Sequence, residues 1–205
     1  MQIIREVEQG SAEWLGLRLG IPTASMFECL LVNGKGEAGF GAGALTYMDQ
    51  LIGERITGEA AELPFSTRAT ERGHELEQVA RDLHLVTYEL PTEQVAIILN
   101  HGAGYSPDAL IGSDGLIEIK TKLPKFQVGV ILANDIPKDH AAQCQGGLWL
   151  SEREWIDFVS YWPGMPLFVK RAYRDEAVIR KLAERVKTFN ELLEERMDRV
   201  MGIAA

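Results

Sequence analysis

Two short stretches carry the residues best suited to chemistry. Ser106-Pro107-Asp108 is followed, a few residues on, by Glu118-Ile119-Lys120. The latter triplet sits in a β-prone run. Two positions apart on a strand, Glu118 and Lys120 emerge on one face, while Leu116, Ile117 and Ile119 supply apolar packing. Between the stretches, Gly112-Ser113-Asp114-Gly115 reads as a hairpin turn, which returns Asp108 to the side of Glu118 and Lys120. Two carboxylates converging on one oxygen-rich site suit a hard divalent cation such as Mg²⁺. An ammonium beside them holds a water or answers charge on a phosphate. That is the chemistry of metal-assisted phosphodiester hydrolysis. The same Glu-x-Lys on an exposed strand is only a surface ion pair worth ~0–1 kcal/mol, so the rest of the chain has to decide.

The elements that position these residues follow from periodicity. Trp14, Leu17 and Arg18 fall at helical spacing over 13–18, ended by Gly20 and Pro22. Thr23 or Ser25 then offers an N-cap to a second helix containing Met26, Phe27, Leu30 and Leu31; hydroxyls and amides there, with Arg18, suit an anion. Residues 33–43 hold five glycines and little to bury, and read as a mobile surface loop. Residues 44–57 read as a helix with Leu45, Met48, Leu51 and Ile52 as its stripe.

A longer helix is expected over 66–85, capped by Ser66 or Thr67. It carries Glu77, which pairs with Arg81 one turn on or points into the metal site, and Gly73, which reads as a close backbone approach. Runs within 86–99, 102–111 and 116–121 suggest a three-strand antiparallel meander. Residues 126–133 are ambiguous. Residues 139–150 read as a helix with Gln143 and Gln145 on it, 155–161 as a strand on the meander's edge, and 168–173 as another strand. A long amphipathic helix occupies 175–201. The sum is an α+β fold with a central mixed β-sheet flanked by helices.

Composition bounds the reading. A chain of 205 residues buries a sizeable core as one domain. With 21 Lys+Arg against 30 Asp+Glu, its formal charge of −9 argues against non-specific adhesion to nucleic acid by the whole surface. It leaves room for a channel lined by a few cations. No run reaches the ~18 apolar residues of a membrane span, and the opening Met-Gln-Ile-Ile-Arg-Glu lacks a signal peptide's apolar core. Cys29 and Cys144 are too far apart in sequence for a metal motif and read as reduced, buried small hydrophobes. A cytoplasmic protein is expected.

Four blocks, in order, resemble the lambda-exonuclease-like branch of the PD-(D/E)xK nucleases, also called YqaJ-type viral recombinases. They are 18–25 (Arg-Leu-Gly-Ile-Pro-Thr-Ala-Ser), 73–77 (Gly-His-Glu-Leu-Glu), Ser106-Pro107-Asp108 with Glu118-Ile119-Lys120, and 142–145 (Ala-Gln-Cys-Gln) followed by Trp149. The resemblance implies a restriction-endonuclease-like core in a single nuclease domain over 1–205. Within it, a helical N-terminal region covers 1–64, a catalytic core 65–173 and a C-terminal helix 174–201. The resemblance also implies that Asp108, Glu118 and the Ile119 carbonyl hold Mg²⁺ or Mn²⁺, and that Glu77 shares a second ion with Asp108. Lys120 would position and help deprotonate the attacking water, with Gln143 beside that water or the scissile phosphate. Arg18, Ser25 and Ser106 would bind a terminal 5′-phosphate, and Trp14 would stack near the duplex end. The implied activity is 5′→3′ removal of 5′-mononucleotides from linear double-stranded DNA, leaving a 3′ strand for a single-strand annealing protein in phage-type recombination. The implied assembly is a homo-oligomer such as a ring-shaped trimer, in a phage or prophage protein of a bacterial host. Pro22 departs from the family's first block, and residues 33–43 have no counterpart in it.

The alternatives are a PD-(D/E)xK endonuclease, a Cas4-like exonuclease, and a catalytically silent DNA-end-binding adaptor. A Cas4-like protein would need a cysteine cluster for iron–sulfur binding, and two cysteines do not make one. An adaptor would have no need of Asp108, Glu118 and Lys120 together.

Overall fold

The structure is a computed structural model that describes residues 1–61 and 68–204, without the side chains of 68–71, 74 and 204. In chain order the elements are β1 (Gln2–Ile4), α1 (Ala12–Arg18), a 3₁₀ turn at Ala24–Met26 running into α2 (Phe27–Leu31), α3 (Ala42–Thr57) and α4 (Arg68–Tyr88). There follow β2 (Thr92–Glu93), β3 (Ile97–Asn100), β4 (Ala103–Tyr105), β5 (Ala109–Ile111) and β6 (Gly115–Lys120). The chain ends with α5 (Pro124–Ala133), α6 (Lys138–Ser151), β7 (Trp155–Ser160), β8 (Phe168–Tyr173) and α7 (Glu176–Ala204). The expected caps Ser66 and Thr67 lie outside the described residues. No helix among the described residues is long and apolar enough to cross a membrane.

The fold is α+β with a mixed sheet between helices, but the expected single meander is two sheets. Among the described residues, β1-β3-β4 form one antiparallel sheet and β2-β5-β6-β7-β8 the other. Pro107 is the physical reason: it has no N–H to give a ladder, so the strand ending at Tyr105 cannot run on into Ala109. Residues 86–88, expected to open a strand, instead finish α4. Residues 155–160 do not edge a meander. They pair in parallel with β6, Glu118 opposite Phe158 and Lys120 opposite Ser160, and lie between β6 and β8. A parallel neighbour demands a crossover, which α5 and α6 provide. The ambiguous segment 126–133 is therefore helix.

The large sheet separates two apolar clusters by the alternation of its strands. Leu110, Leu116, Ile156 and Phe158 join the main core with α2, α3, α6 and α7. Ala109, Ile111, Ile117, Ile119 and Val159 face Ala80 and Leu76 of α4. Glu118 thus shares its face with Leu116, on the α6 side. Helix α6 can lie close because two adjacent glycines face large rings. A Cβ at Gly146 would stand 2.4 Å from the Phe27 ring, and one at Gly147 would stand 2.7 Å from the Tyr105 ring. Gly73, read as a close approach, has room: among the described residues a Cβ there meets only Thr121 Oγ1, at 4.0 Å.

Residues 33–43 differ from expectation too. Gly34 and Gly36 donate backbone hydrogen bonds to Gly39 and Phe40, and Asn33 bridges Phe40. Phe40 is fully buried, edge-on to Phe189 at 5.7 Å with the Arg185 guanidinium 3.8 Å above its ring. One aromatic anchor is enough to tie a glycine-rich loop to the core, which a count of glycines does not register.

On the opposite face of the sheet, the α4 side, buried Asp157 accepts two hydrogen bonds from Arg171, both at 2.8 Å, and faces His84 Nε2 at 2.9 Å. Burial alone would raise the Asp157 carboxyl, but its bonds to Arg171 and His84 outweigh this and hold it below its usual value.

Candidate active site

The hairpin β5–β6 forms as its turn residues predict, with Ala109 paired to Ile117 and Ile111 to Gly115. Asp108 sits one step before the ladder. Its amide donates to the Ile117 carbonyl at 3.2 Å, and its Oδ2 accepts from the Ile119 amide at 2.5 Å. Glu118 lies between those two positions on β6 and is only 2% exposed. Its Oε1 accepts from Lys120 Nζ at 2.7 Å and Gln143 Nε2 at 2.6 Å, and its Oε2 accepts from the Tyr105 hydroxyl at 2.9 Å. Four elements thereby converge on one carboxylate and its neighbour: β4, β6, α6 and the segment entering β5.

The charges are crowded. Burial, then the negative charges of Glu118 and Glu77, push the Asp108 carboxyl well above its usual range; Lys120 and the Ile119 amide only partly offset them. Burial would lower Lys120, but Glu118 and Asp108 outweigh it, so Lys120 holds its proton more tightly than an exposed lysine. Burial and then Glu118 raise Tyr105 well above the ordinary phenol value. Burial and Glu118 likewise keep the Cys144 thiol protonated. Glu77 and Asp108 line a common cavity of about 480 Å³ with Arg5, Gln9, Gln78 and Arg81. Arg81 donates to the Asp108 backbone carbonyl at 2.5 Å and to Gln78 at 3.2 Å.

Glu77, Asp108, Glu118, Lys120 and Gln143 are thus in one neighbourhood. Among the described residues, however, no three His, Cys, Asp or Glu side chains stand together as a ready metal cage. Glu118 is turned onto its three donors instead. The two glutamines of α6 separate cleanly: Gln145 donates to the Tyr173 carbonyl at 2.9 Å and accepts from the Asp175 amide at 2.8 Å, a structural tie away from this site.

The residues expected to hold a phosphate fall into two linked groups. Trp14 Nε1 donates to Ser106 Oγ at 3.0 Å and to the Ala96 carbonyl at 3.1 Å, and the Arg18 guanidinium lies 4.2 Å from the Trp14 ring centre. Arg18 also lines a cavity of about 100 Å³ with Ser25, Thr23, Tyr47 and Glu54. One face of Trp14 is therefore taken by Arg18. The anion-binding helix start expected at Thr23 is a 3₁₀ turn, and Thr23 bonds Ser25 and Tyr47 rather than capping it. Glu54 brings a carboxylate to the same cavity, where it accepts from the amides of Gly20 and Ala61 and from Gln50.

A family model described as the YqaJ-like viral recombinase domain matches residues 13–154, which takes in Trp14, Arg18, Ser25, Glu77, Ser106, Asp108, Glu118, Lys120 and Gln143. The chain belongs to that family. Membership places this YqaJ-type chain among the nucleases. Its structure resembles that of LHK-Exo in complex with dAMP, with a TM-score of 0.85 and 31% identity over 95% of this chain and 98% of that one. It resembles equally the alkaline exonuclease LHK-Exo from Laribacter hongkongensis, with a TM-score of 0.83 at the same identity and coverage. A phage-related exonuclease from Haemophilus somnus 129PT shares the fold, with a TM-score of 0.67 and 18% identity over 91% of this chain and 99% of that one. The fold is the restriction-endonuclease type. No curated protein matches the sequence.

Sequence reasoning misses two residues that contact the candidate site's acids, Tyr105 at Glu118 and Arg81 at the Asp108 carbonyl. Tyr105 directly precedes Ser106-Pro107-Asp108, and that adjacency is its only signal. The spacing of Arg81 reads as a partner for Glu77; its bond to the Asp108 carbonyl depends on how α4 crosses the sheet, which has no local signature.

Proposed function

We propose that the chain is a metal-dependent exonuclease that removes 5′-mononucleotides in the 5′→3′ direction from linear double-stranded DNA carrying a 5′-phosphate. The observation that carries this reading is the Asp108–Ile119 hydrogen bond at 2.5 Å, which sets one carboxylate beside a second, Glu118, that already holds Lys120 and Gln143. The donors suit a divalent cation: they are hard oxygens, and Asp108 is crowded by two like charges that a cation would relieve. Asp108, Glu118 and the Ile119 carbonyl would hold one Mg²⁺, which Mn²⁺ can replace, and Glu77 with Asp108 a second. Two carboxylates with carbonyl and water oxygens are an ordinary Mg²⁺ complement, so a preformed cage of three is not required. The cation supplies Lewis-acid polarisation of the phosphoryl oxygens and answers their developing charge.

The chain's own residues do the rest. Lys120, a firmly held cation, orients the attacking water and helps its deprotonation by stabilising the hydroxide that forms; the proton passes to solvent, and the departing 3′ oxygen takes one up from it. Gln143 holds Glu118 and lies one hydrogen bond from the reacting region. Water adds to phosphorus, the bond from phosphorus to the 3′ oxygen breaks, and the released nucleotide leaves with its 5′-phosphate and a 3′ hydroxyl. Arg18, Ser25 and Ser106 bind the terminal phosphate, with Trp14 steadying both Arg18 and Ser106 at the duplex end. The exposed 3′ strand would pass to a single-strand annealing protein, in the cytoplasm of a bacterium carrying the phage or prophage. Residues 1–205 would act as one nuclease domain, and a ring of copies around the duplex would let a chain of net charge −9 stay on its substrate.

The test is digestion of end-labelled linear duplex with Mg²⁺, comparing 5′-phosphate with 5′-hydroxyl ends, with closed circles and Lys120→Ala alongside. The expected result is mononucleotides from the phosphorylated end, slower attack on the hydroxyl end, intact circles and a silent variant. Cut circles would replace exonuclease by endonuclease. Tight binding of DNA ends without turnover in Mg²⁺ or Mn²⁺ would leave an adaptor.

A further inference from the structure

Glu118 is held unevenly. Its Oε1 has two donors, Lys120 and Gln143, whereas the only protein donor to its Oε2 among the described residues is the hydroxyl of Tyr105, at 2.9 Å. The terminal torsion of a glutamate is broad, so nothing in Glu118 itself selects one orientation of the carboxylate. Without the hydroxyl, a buried Oε2 would be left unsatisfied, and the group would turn to find another partner. Tyr105 comes from β4 in the small sheet and Glu118 from β6 in the large one, so this hydrogen bond bridges the two sheets at the reaction centre.

The phenol has little freedom of its own. Its ring is buried at 1% exposure, and helix α6 presses on it through Gly147, where a Cβ would stand 2.7 Å from two ring carbons and 3.1 Å from the hydroxyl oxygen. Gly147 lies one turn after Gln143, so one helix fixes both oxygens of Glu118: Oε1 by direct contact, Oε2 through the ring of Tyr105.

We propose that Tyr105 is a positioning residue for the reaction: its hydroxyl, set in place by the glycine surface at position 147, fixes the Glu118 carboxylate in the orientation that cation binding and turnover require. This rests on the nuclease reading above for the turnover it predicts. Residues that orient a metal-binding group through a hydrogen bond typically contribute 10–100-fold to metal affinity or activity.

The experiment uses the full chain and Tyr105→Phe, which keeps the ring and removes the hydroxyl, with Gly147→Ala as a second variant. Mn²⁺ affinity is measured by calorimetry without DNA, and kcat and KM are measured on linear duplex, after circular dichroism has shown each variant folded. For Tyr105→Phe the expected result is Mn²⁺ binding weakened ~10-fold, kcat lowered ~10-fold and KM for DNA within about twofold of wild type. Gly147→Ala moves the same quantities in the same direction, but adds nothing to the loss of Mn²⁺ affinity once the hydroxyl is gone. Mn²⁺ affinity and kcat of a folded Tyr105→Phe within twofold of wild type would overturn the proposal, as would full additivity of the two substitutions. If the wild type binds Mn²⁺ and cleaves no DNA, the nuclease reading falls, and the variants' Mn²⁺ affinities still decide whether Tyr105 positions Glu118. A folded wild type that binds no Mn²⁺ overturns both.

Discussion

The Ile119 amide donates to Asp108 Oδ2 at 2.5 Å, so the turn after Pro107 is fastened to the Glu-Ile-Lys strand by a side chain as well as by the sheet ladder. That bond holds a carboxylate where two others repel it. Asp108→Asn keeps the size and an acceptor oxygen while removing the charge. The expected outcome is loss of cleavage together with higher stability in EDTA. Relief of ~1 kcal/mol would raise Tm by about 2–4 °C for a chain of this size. Thermal unfolding in EDTA checks it, and a lower Tm for the variant would contradict the crowding at this site.

The two glutamines of α6 are expected to behave differently. Gln143→Ala removes a donor from Glu118 and should lower kcat by ~10-fold or more. Gln145→Ala breaks the tie to Tyr173 and Asp175 and should cost ~1 kcal/mol of stability, with kcat kept. Parallel kinetics and urea unfolding of both variants would separate the roles. Equal losses of kcat would show that α6 acts as a whole, not through Gln143.

Acid stability should carry the signature of His140. Its Nε2 is buried without a hydrogen bond and its ring lies 5.6 Å from that of Phe158. Burial first, then Lys120 and Lys122, lower its pKa from 6.5 to about 4 against a small opposing effect of Asp139. A depressed folded value means the folded state resists the proton. The neutral ring's advantage is intact above the unfolded value of 6.5 and is lost as pH falls toward 4, below which the loss is constant. The difference in urea midpoint between wild type and His140→Gln, measured at about pH 7, 5.5 and 4.5, should move in the variant's favour across that window. A constant difference would show that His140 does not titrate there.

Phe40 is the anchor of the glycine-rich loop. Phe40→Ala should destabilise the chain by ~3–5 kcal/mol, the usual cost of emptying a buried phenylalanine site. Residues 33–43 should then become the first site of limited proteolysis. Retained stability would mean that the loop's backbone bonds suffice without the ring.

The chemical core was legible in the sequence because its determinants are local. The turn at Gly112 to Gly115 and the two-residue alternation of β6 sufficed to bring Asp108 beside Glu118 and Lys120, and the spacing of Gln143 and Gln145 fell on one helix. Glycine content misled at residues 33–43, because one buried Phe40 outweighs five flexible positions. The split into two sheets turned on the missing N–H of Pro107, and the placement of β7 between β6 and β8 on a crossover that spans two helices. The tertiary structure alone decided that Tyr105 donates to Glu118 Oε2, that Gln145 is tied to Tyr173 and Asp175, and that Asp157, Arg171 and His84 meet beneath α4. Periodicity assigns a residue to a face of its own element; which residue of another element lies opposite is set by how close the two can pack, as at Gly146 and Gly147.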